Sequence, residues 1–253
     1  MKYLISCLLI FSYIKAFDYK LTPIKLNENS YYFYGKEEYF SSLNAGDISN
    51  VSFIITQNSV ILIDTGSSYE YGLQIKEAIQ KVTKNPIKYI INTHHHPDHF
   101  LGNSAFTQSD IFATPYTKEE ISKNGDLYLL NLVNLVQSAM KNTSIKAPNQ
   151  LLSTEDLEFD GYKLKLLYLD GHTKSDLAIY DEKTKILYAS DLVFYKRTPA
   201  TSHANIQKWI KALEELQKID YSILIPGHGI SSTSKEPIKE NIAYLKFLDE
   251  TLK

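Results

Sequence analysis

The feature that most constrains this 253-residue chain is the run Thr93-His94-His95-His96-Pro97-Asp98-His99, which follows directly on the apolar segment 87–92. That segment is rich in isoleucine, the composition of a buried strand. A buried strand that empties into four imidazoles and a carboxylate needs partners for them, because unpaired polar groups are costly away from water. On an extended loop alternate residues point the same way, so His94 and His96 can hold one metal ion while Asp98 and His99 reach a neighbouring one. His95 faces the opposite side and is expected to pack or to support a neighbour.

Three further polar islands follow: Gly171-His172-Thr173, Ser190-Asp191-Leu192 and Pro226-Gly227-His228-Gly229. Each comes directly after a β-branched or leucine-rich strand. Taken alone, His172 or His228 reads as an ordinary core or surface residue. Six of the seven histidines crowding into three strand-end loops do not. Together the islands supply two sets of histidine and carboxylate donors, with one carboxylate available to join them and open positions left for water, as catalytic zinc requires. The remaining histidine, His203, precedes the helix of Trp209 and reads as a capping or pocket residue. Tyr195, Lys196 and Arg197 lie just beyond Asp191; they offer an aromatic face and cations to an anionic group, or form a solvated loop.

The elements around these islands alternate. Segments 51–56 and 60–64 read as a hairpin of buried strands across a Gln-Asn-Ser turn, 71–82 as a helix ended by Asn85-Pro86, and 87–92 as the next strand. Segment 111–113 is a short strand and 118–141 largely helical, with Gly125 near its middle. Strands at 164–169, 176–180 and 186–189, a helix at 205–218, a strand at 222–226 and a helix at 237–252 complete the chain. With no low-complexity or Pro/Gly-rich linker, this is one α/β unit of two β/α halves, about 17–150 and 151–253, with sheets packed together and helices outside.

Lysine plus arginine (27) nearly balance aspartate plus glutamate (29), which gives no electrostatic footprint for nucleic acid or an anionic membrane. The N-terminus is more informative. Lys2, an apolar run over 3–14 and Ala16 occur in the order of a signal peptide, residues 1–16, and the run is shorter than the roughly 20 residues of a membrane span. The expected mature chain, 17–253, is periplasmic or secreted, with no stable membrane insertion. Cys7, the only cysteine, falls inside that segment, so any metal must be held by histidine and carboxylate.

The pattern His94-x-His96-x-Asp98-His99, then His172, Asp191 and His228, resembles the complete metal-site pattern of the metallo-β-lactamase superfamily across nearly the whole mature chain. The resemblance implies a four-layer αββα sandwich. It also implies one metal held by His94, His96 and His172, a second by Asp98, His99 and His228, and Asp191 between them. Asp64, in Leu62-Ile63-Asp64-Thr65-Gly66, matches a structural aspartate of the superfamily. The chemistry implied is hydrolysis of an ester, thioester or amide bond by a water activated between two zinc ions, iron or manganese being alternatives, with Asp98 orienting the nucleophile. Asp191 stands near the place where dedicated lactamases mostly carry Cys or Ser, which argues against β-lactams as substrates. His96 argues against the flavodiiron branch, which carries Glu there.

Segments 92–103, 171–176, 189–194 and 199–209 look most like the quinoprotein relay system zinc metallohydrolases, exported proteins associated with pyrroloquinoline-quinone-dependent dehydrogenases. That resemblance implies a small-molecule substrate and a quinoprotein system as partner. The rivals are a mononuclear iron persulfide dioxygenase, which shares the ligand residues, a β-lactamase, and a non-catalytic metal- or cofactor-handling protein. The signal-peptide reading is checked by the mass of the exported chain, which should begin at Phe17; a chain that still starts at Met1, or that carries a lipid on Cys7, overturns it.

Overall fold

Every strand of the central sheets changes the layer it faces with each residue. In a computed structural model that describes residues 16–251, Phe53, Val60, Leu62 and Ile90 pack under one pair of helices, whereas their neighbours Ile54, Ile61, Ile63 and Ile91 face a second sheet. That second sheet repeats the pattern. Its Leu164, Leu166, Leu177, Ile179, Ile186 and Tyr188 meet the first sheet, and Ala178, Leu187 and Ala189 pack under the other helices. A fully buried aliphatic side chain contributes about 1.5–3 kcal/mol, so strands apolar at every position are stabilised fully only when both faces are covered. The outcome is the four-layer αββα sandwich. The expected signal segment, apart from Ala16, lies outside the described residues.

The first sheet runs in chain order through β1 (Ile24–Lys25), β2 (Ser30–Phe33), β3 (Val51–Ile55), β4 (Val60–Ile63), β5 (Ile87–Ile91), β6 (Asp110–Ala113) and β7 (Gln150–Leu151). The second contains β8 (Asp156–Phe159), β9 (Tyr162–Leu169), β10 (Asp176–Asp181), β11 (Ile186–Phe194) and β12 (Ile223–His228), in the spatial order β12-β11-β10-β9-β8. Helices α1 (Tyr69–Val82) and α3 (Pro115–Val136) cover the first sheet, α4 (Ile206–Lys218) and α5 (Glu236–Thr251) the second. A short α2 (Pro97–Phe100) carries part of the histidine run. The pairs β4–β5, β5–β6, β6–β7 and β11–β12 are parallel. Parallel neighbours need a crossover, which α1, α2, α3 and α4 provide in turn. Among the described residues no helix is long and apolar enough to cross a membrane.

The sheet boundary falls where the two halves were expected to divide. Several element ends differ, each for a local reason. Helix α1 begins at Tyr69, because the Ser68 side chain caps it by accepting from the Tyr71 N–H. Helix α3 begins at Pro115, with Thr114 as cap and proline in the first turn, and stops at Val136 because Gln137 adopts a φ of 62°. The short strands β1, β2, β7 and β8 carry too little pattern to be read from composition; they exist through pairing with stronger neighbours. Strand β11 runs past Ala189 to Phe194, so Asp191 lies inside a strand and not in the loop after it. Residues 97–100 form a helical turn where an extended loop was expected, with Pro97 at its first position.

That turn docks against the end of β4. The Gly102 N–H donates to the Gly66 carbonyl at 2.9 Å and the Thr65 N–H to the His99 carbonyl at 2.9 Å. A Cβ on Gly102 would stand 2.0 Å from the Thr65 carbonyl oxygen, which is backbone and cannot swing aside. Gly102→Ala should therefore destabilise the fold by about 1–3 kcal/mol, the usual cost of overpacking. Denaturant unfolding with an unchanged midpoint would contradict this account of the docking.

Candidate metal centre

The donors come from strand ends and turns in both halves. His94 and His96 follow β5; Asp98 and His99 ride on α2; His172 follows β9; Asp191 sits within β11; His228 ends β12. Asp191 is aimed by an irregularity. Pairing of β11 with β12 shifts register on either side of Ser190, whose φ is 48°, so the strand bulges and turns the next side chain into the site. Gly227 makes room for it: a Cβ there would lie 1.9 Å from Asp191 Oδ1.

All seven expected donors converge. His94, Asp98, His99, His172, Asp191 and His228 are buried, and His96 is partly exposed. Two groups form, each with donor atoms within 4.8 Å of one another: His94, His96, His172 and Asp191 in one, Asp98, His99 and His228 in the other. Asp191 reaches both. Its Oδ1 lies 3.0 Å from His99 Nε2, and its Oδ2 lies 3.3 Å from His172 Nε2 and 3.7 Å from His94 Nε2. Asp98 Oδ2 faces the Nε2 atoms of His228 and His99 at 3.4 and 3.6 Å.

Each imidazole meets an acceptor at its outward nitrogen. His94 Nδ1 lies 3.1 Å from the Thr93 hydroxyl, His99 Nδ1 2.8 Å from Asp64 Oδ2, and His172 Nδ1 3.1 Å from the Ala200 carbonyl. His228 Nδ1 lies 2.7 Å from the Ile48 carbonyl, and His96 Nε2 2.8 Å from His203 Nδ1. A proton held on the outward nitrogen leaves the inward lone pair free, which is how ligating histidines are usually oriented. Inward, His94 Nε2, His99 Nε2 and Asp191 Oδ1 are buried without a hydrogen bond. Such orphaned atoms cost about 1–3 kcal/mol each, a cost that a divalent cation at the centre would remove. The donor set of imidazole and carboxylate suits that class of ion.

Charge in the centre is shared unevenly among the protein groups. Burial, together with neighbouring imidazoles, keeps His94 and His96 far below the usual histidine range. For His99 burial opposes protonation, but the carboxylates of Asp191, Asp98 and Asp64 outweigh it and raise the imidazole well above its ordinary value. Asp191 shows the converse: burial would raise it, yet the histidines around it, His228 and His99 foremost, hold it well below the carboxylate range. Against the effect of burial, the Asp191 carboxylate raises His172 as well, so protons compete with metal for both imidazoles and affinity should fall as pH falls.

Several supporting residues carried no composition signal. Asn50 donates to the Pro226 and Gly229 carbonyls, both at 2.8 Å, and its N–H donates to the Gly227 carbonyl at 2.7 Å, which clamps the loop of His228. Ser49 donates to the Asp98 carbonyl at 2.7 Å, and the Ser190 and Thr93 hydroxyls meet at 2.7 Å. Asp64 accepts from the Thr93 N–H and hydroxyl at 2.8 Å each, as well as from His99, in keeping with a supporting role. His95 points away from both groups and packs beside Tyr116 and Tyr128. The Arg197 guanidinium lies over the Tyr39 ring and 2.8 Å from His228 Nδ1; because a guanidinium only donates, this contact competes with the proton that the same nitrogen would give the Ile48 carbonyl.

Close approach of Gly227 to Asp191 makes a specific prediction. Gly227→Ala should weaken metal binding at least about tenfold, as Asp191→Ala does, the range typical when a ligand or its support is disturbed. His95→Ala should leave the ions of these two groups bound as tightly as in the wild type. Equilibrium dialysis against a chelator checks all three; loss of a tightly bound ion from either of these two groups in His95→Ala would refute the ligand assignment.

Comparison with known proteins agrees with this geometry. Residues 44–228 match the family model of the metallo-β-lactamase superfamily. The chain is 20% identical over 218 residues to a linear primary-alkylsulfatase from a Pseudomonas species, covering 72% of this chain and 41% of that one. It is 23% identical over 185 residues to a β-lactamase-like protein 2 homolog from Caenorhabditis elegans, covering 72% and 56%. The match thus spans about half the length of these curated relatives. Among solved structures, a metallo-β-lactamase from Pontibacter korlensis superposes with a TM-score of 0.74 at 19% identity, covering 89% of this chain and 99% of that one. With more than half its length matched by the family model and the αββα layers in place, the chain belongs to the metallo-β-lactamase superfamily.

Proposed function

We propose that this chain is a metal-dependent hydrolase that works with two divalent ions, zinc first among them, and cleaves an ester, thioester or amide-type bond in a small molecule. The observation that carries the reading is the position of Asp191, with one oxygen toward His99 and the other toward His172, between two groups of donors. His94, His96 and His172 would hold one ion, Asp98, His99 and His228 the other, and Asp191 would join them. When bound, such ions lower the pKa of water toward neutrality and polarise a carbonyl.

The protein groups supply the rest. Asp98 faces His228 and His99 with its carboxylate while Ser49 holds its backbone, so it is placed to orient the attacking water and to carry its proton. Water adds to the carbonyl carbon, the bond to the leaving group breaks, and the proton passes through Asp98 to the departing oxygen, nitrogen or sulfur. The Phe194 ring stacks on His228 with centroids 4.8 Å apart and Trp209 packs on His172 at 5.0 Å, so water is kept from the rear of both imidazoles.

The names of the relatives, an alkylsulfatase among them, support hydrolysis as the reaction class without agreeing on a substrate. Export to the periplasm is proposed on the order of Lys2, the apolar run and Ala16 together with the sequence resemblance, and service to a quinoprotein dehydrogenase system on the resemblance alone. Asp191 argues against β-lactams. Zinc-loaded protein should hold two ions per chain and turn over members of an ester and thioester panel, while kcat/KM on nitrocefin and imipenem stays below about 10⁴ M⁻¹s⁻¹, the low end for efficient enzymes. Asp98→Asn at saturating metal should lower kcat by about 10²–10⁴-fold, the usual contribution of a proton-handling group. One tightly bound iron with oxygen consumption would replace this reading by the oxygenase, and efficient lactam hydrolysis would overturn the substrate class.

A further inference from the structure

A second histidine cluster stands outside the centre just described. His95, His96 and His203 each offer a ring nitrogen, and the three donor atoms lie within 4.8 Å of one another. Their ring centroids form a triangle of 5.0 Å (His95–His96), 5.1 Å (His96–His203) and 5.9 Å (His95–His203). The two nitrogens of His96 serve different groups: Nδ1 lies 2.8 Å from His172 Nε2, and Nε2 lies 2.8 Å from His203 Nδ1.

His95 is the telling member. It is 3% exposed, and its Nδ1 makes no hydrogen bond. A histidine buried only for packing would ordinarily have such an atom satisfied. A cleft of about 480 Å³ opens beside it, lined by His95 and His203 together with Tyr116, Glu120, Tyr128 and Lys174, so an ion has both an approach from solvent and a carboxylate nearby. Lys174 in the same cleft opposes a cation, which makes this a weaker position than the inner one.

We propose that His95, His96 and His203 form an outer binding position for an imidazole-preferring divalent ion, zinc(II) or copper(II), which shares His96 with the inner centre. Imidazole donors favour these ions, copper above zinc, over magnesium or calcium. Full use of His96 by both positions replaces the proton on its Nε2 with the outer ion and releases that proton to solvent, with no change of oxidation state. Occupation of the outer position draws electron density from an inner ligand, so excess metal has a direct route to the inner centre.

The test is a zinc titration by equilibrium dialysis on the untagged full chain, the wild type beside His95→Ala and His203→Ala. The wild type should bind one equivalent more than either variant, at least tenfold more weakly than its inner ions, and the extra step should release protons in weak buffer. His95→Ala keeps the contact between His96 and His203, so it separates loss of the outer position from disturbance of His96. An extra equivalent that survives in both variants is adventitious surface zinc and overturns the proposal. So does equal binding by the wild type and His95→Ala. The difference between these chains is read whatever the inner ion count proves to be, so its outcome is independent of the hydrolase reading.

Discussion

The Asp191 carboxylate is the point on which both halves of this protein close. It is buried and lies within 3.7 Å of four imidazoles, two of them from the run after the first-sheet strand β5 and two from the loop ends of the second sheet. A carboxylate in such a place would be costly alone. Surrounded by histidines it is held ionised, and His99 and His172 are raised in turn. This mutual dependence joins the sheets electrostatically at the same rim where the apolar layer between them ends. Folding and site assembly are therefore one event: sheets packed out of register would leave a buried carboxylate and several imidazoles uncompensated.

Around that point the structure invests in orientation. Thr93, Asp64, Ala200, Ile48 and His203 receive the outward nitrogens of five imidazoles, and these partners come from four separate places in the chain. Asn50 ties the loop before β3 to the loop of His228, and Ser49 on the same segment holds Asp98. The segment before β3 thus controls one donor group, while the loop after β11, through Ala200 and His203, controls the other. Changes in either loop are expected to act on the two groups separately.

Much of the architecture was legible because burial on both faces leaves near-continuous apolar runs. The runs at β3, β4, β5, β9, β10 and β11 are mainly apolar, and the structure sorts their alternate apolar residues into three layers. The two-residue strands, and β2 and β8 among the four-residue ones, left no such record. Their hydrogen bonds come from neighbours and not from composition, so β1, β2, β7 and β8 emerged only in three dimensions. The helical turn of α2 was missed for another reason: four residues beginning with proline carry too little periodicity to distinguish a turn from an extended loop.

The donor inventory was determined by the sequence itself, since among the described residues, which include no cysteine, imidazole and carboxylate side chains are the ones suited to hold a metal, and their placement after apolar strands is visible in one dimension. The side to which His95 turns also followed from alternation alone. Which donors share a group, how Asp191 is aimed and what holds each imidazole were decided only by the tertiary structure. The physical reason is that these depend on a strand bulge, on the absence of a Cβ at Gly227 and on backbone carbonyls at Ile48 and Ala200. A carbonyl is present at every residue, so nothing in the order of side chains marks the ones that long-range packing brings to the centre.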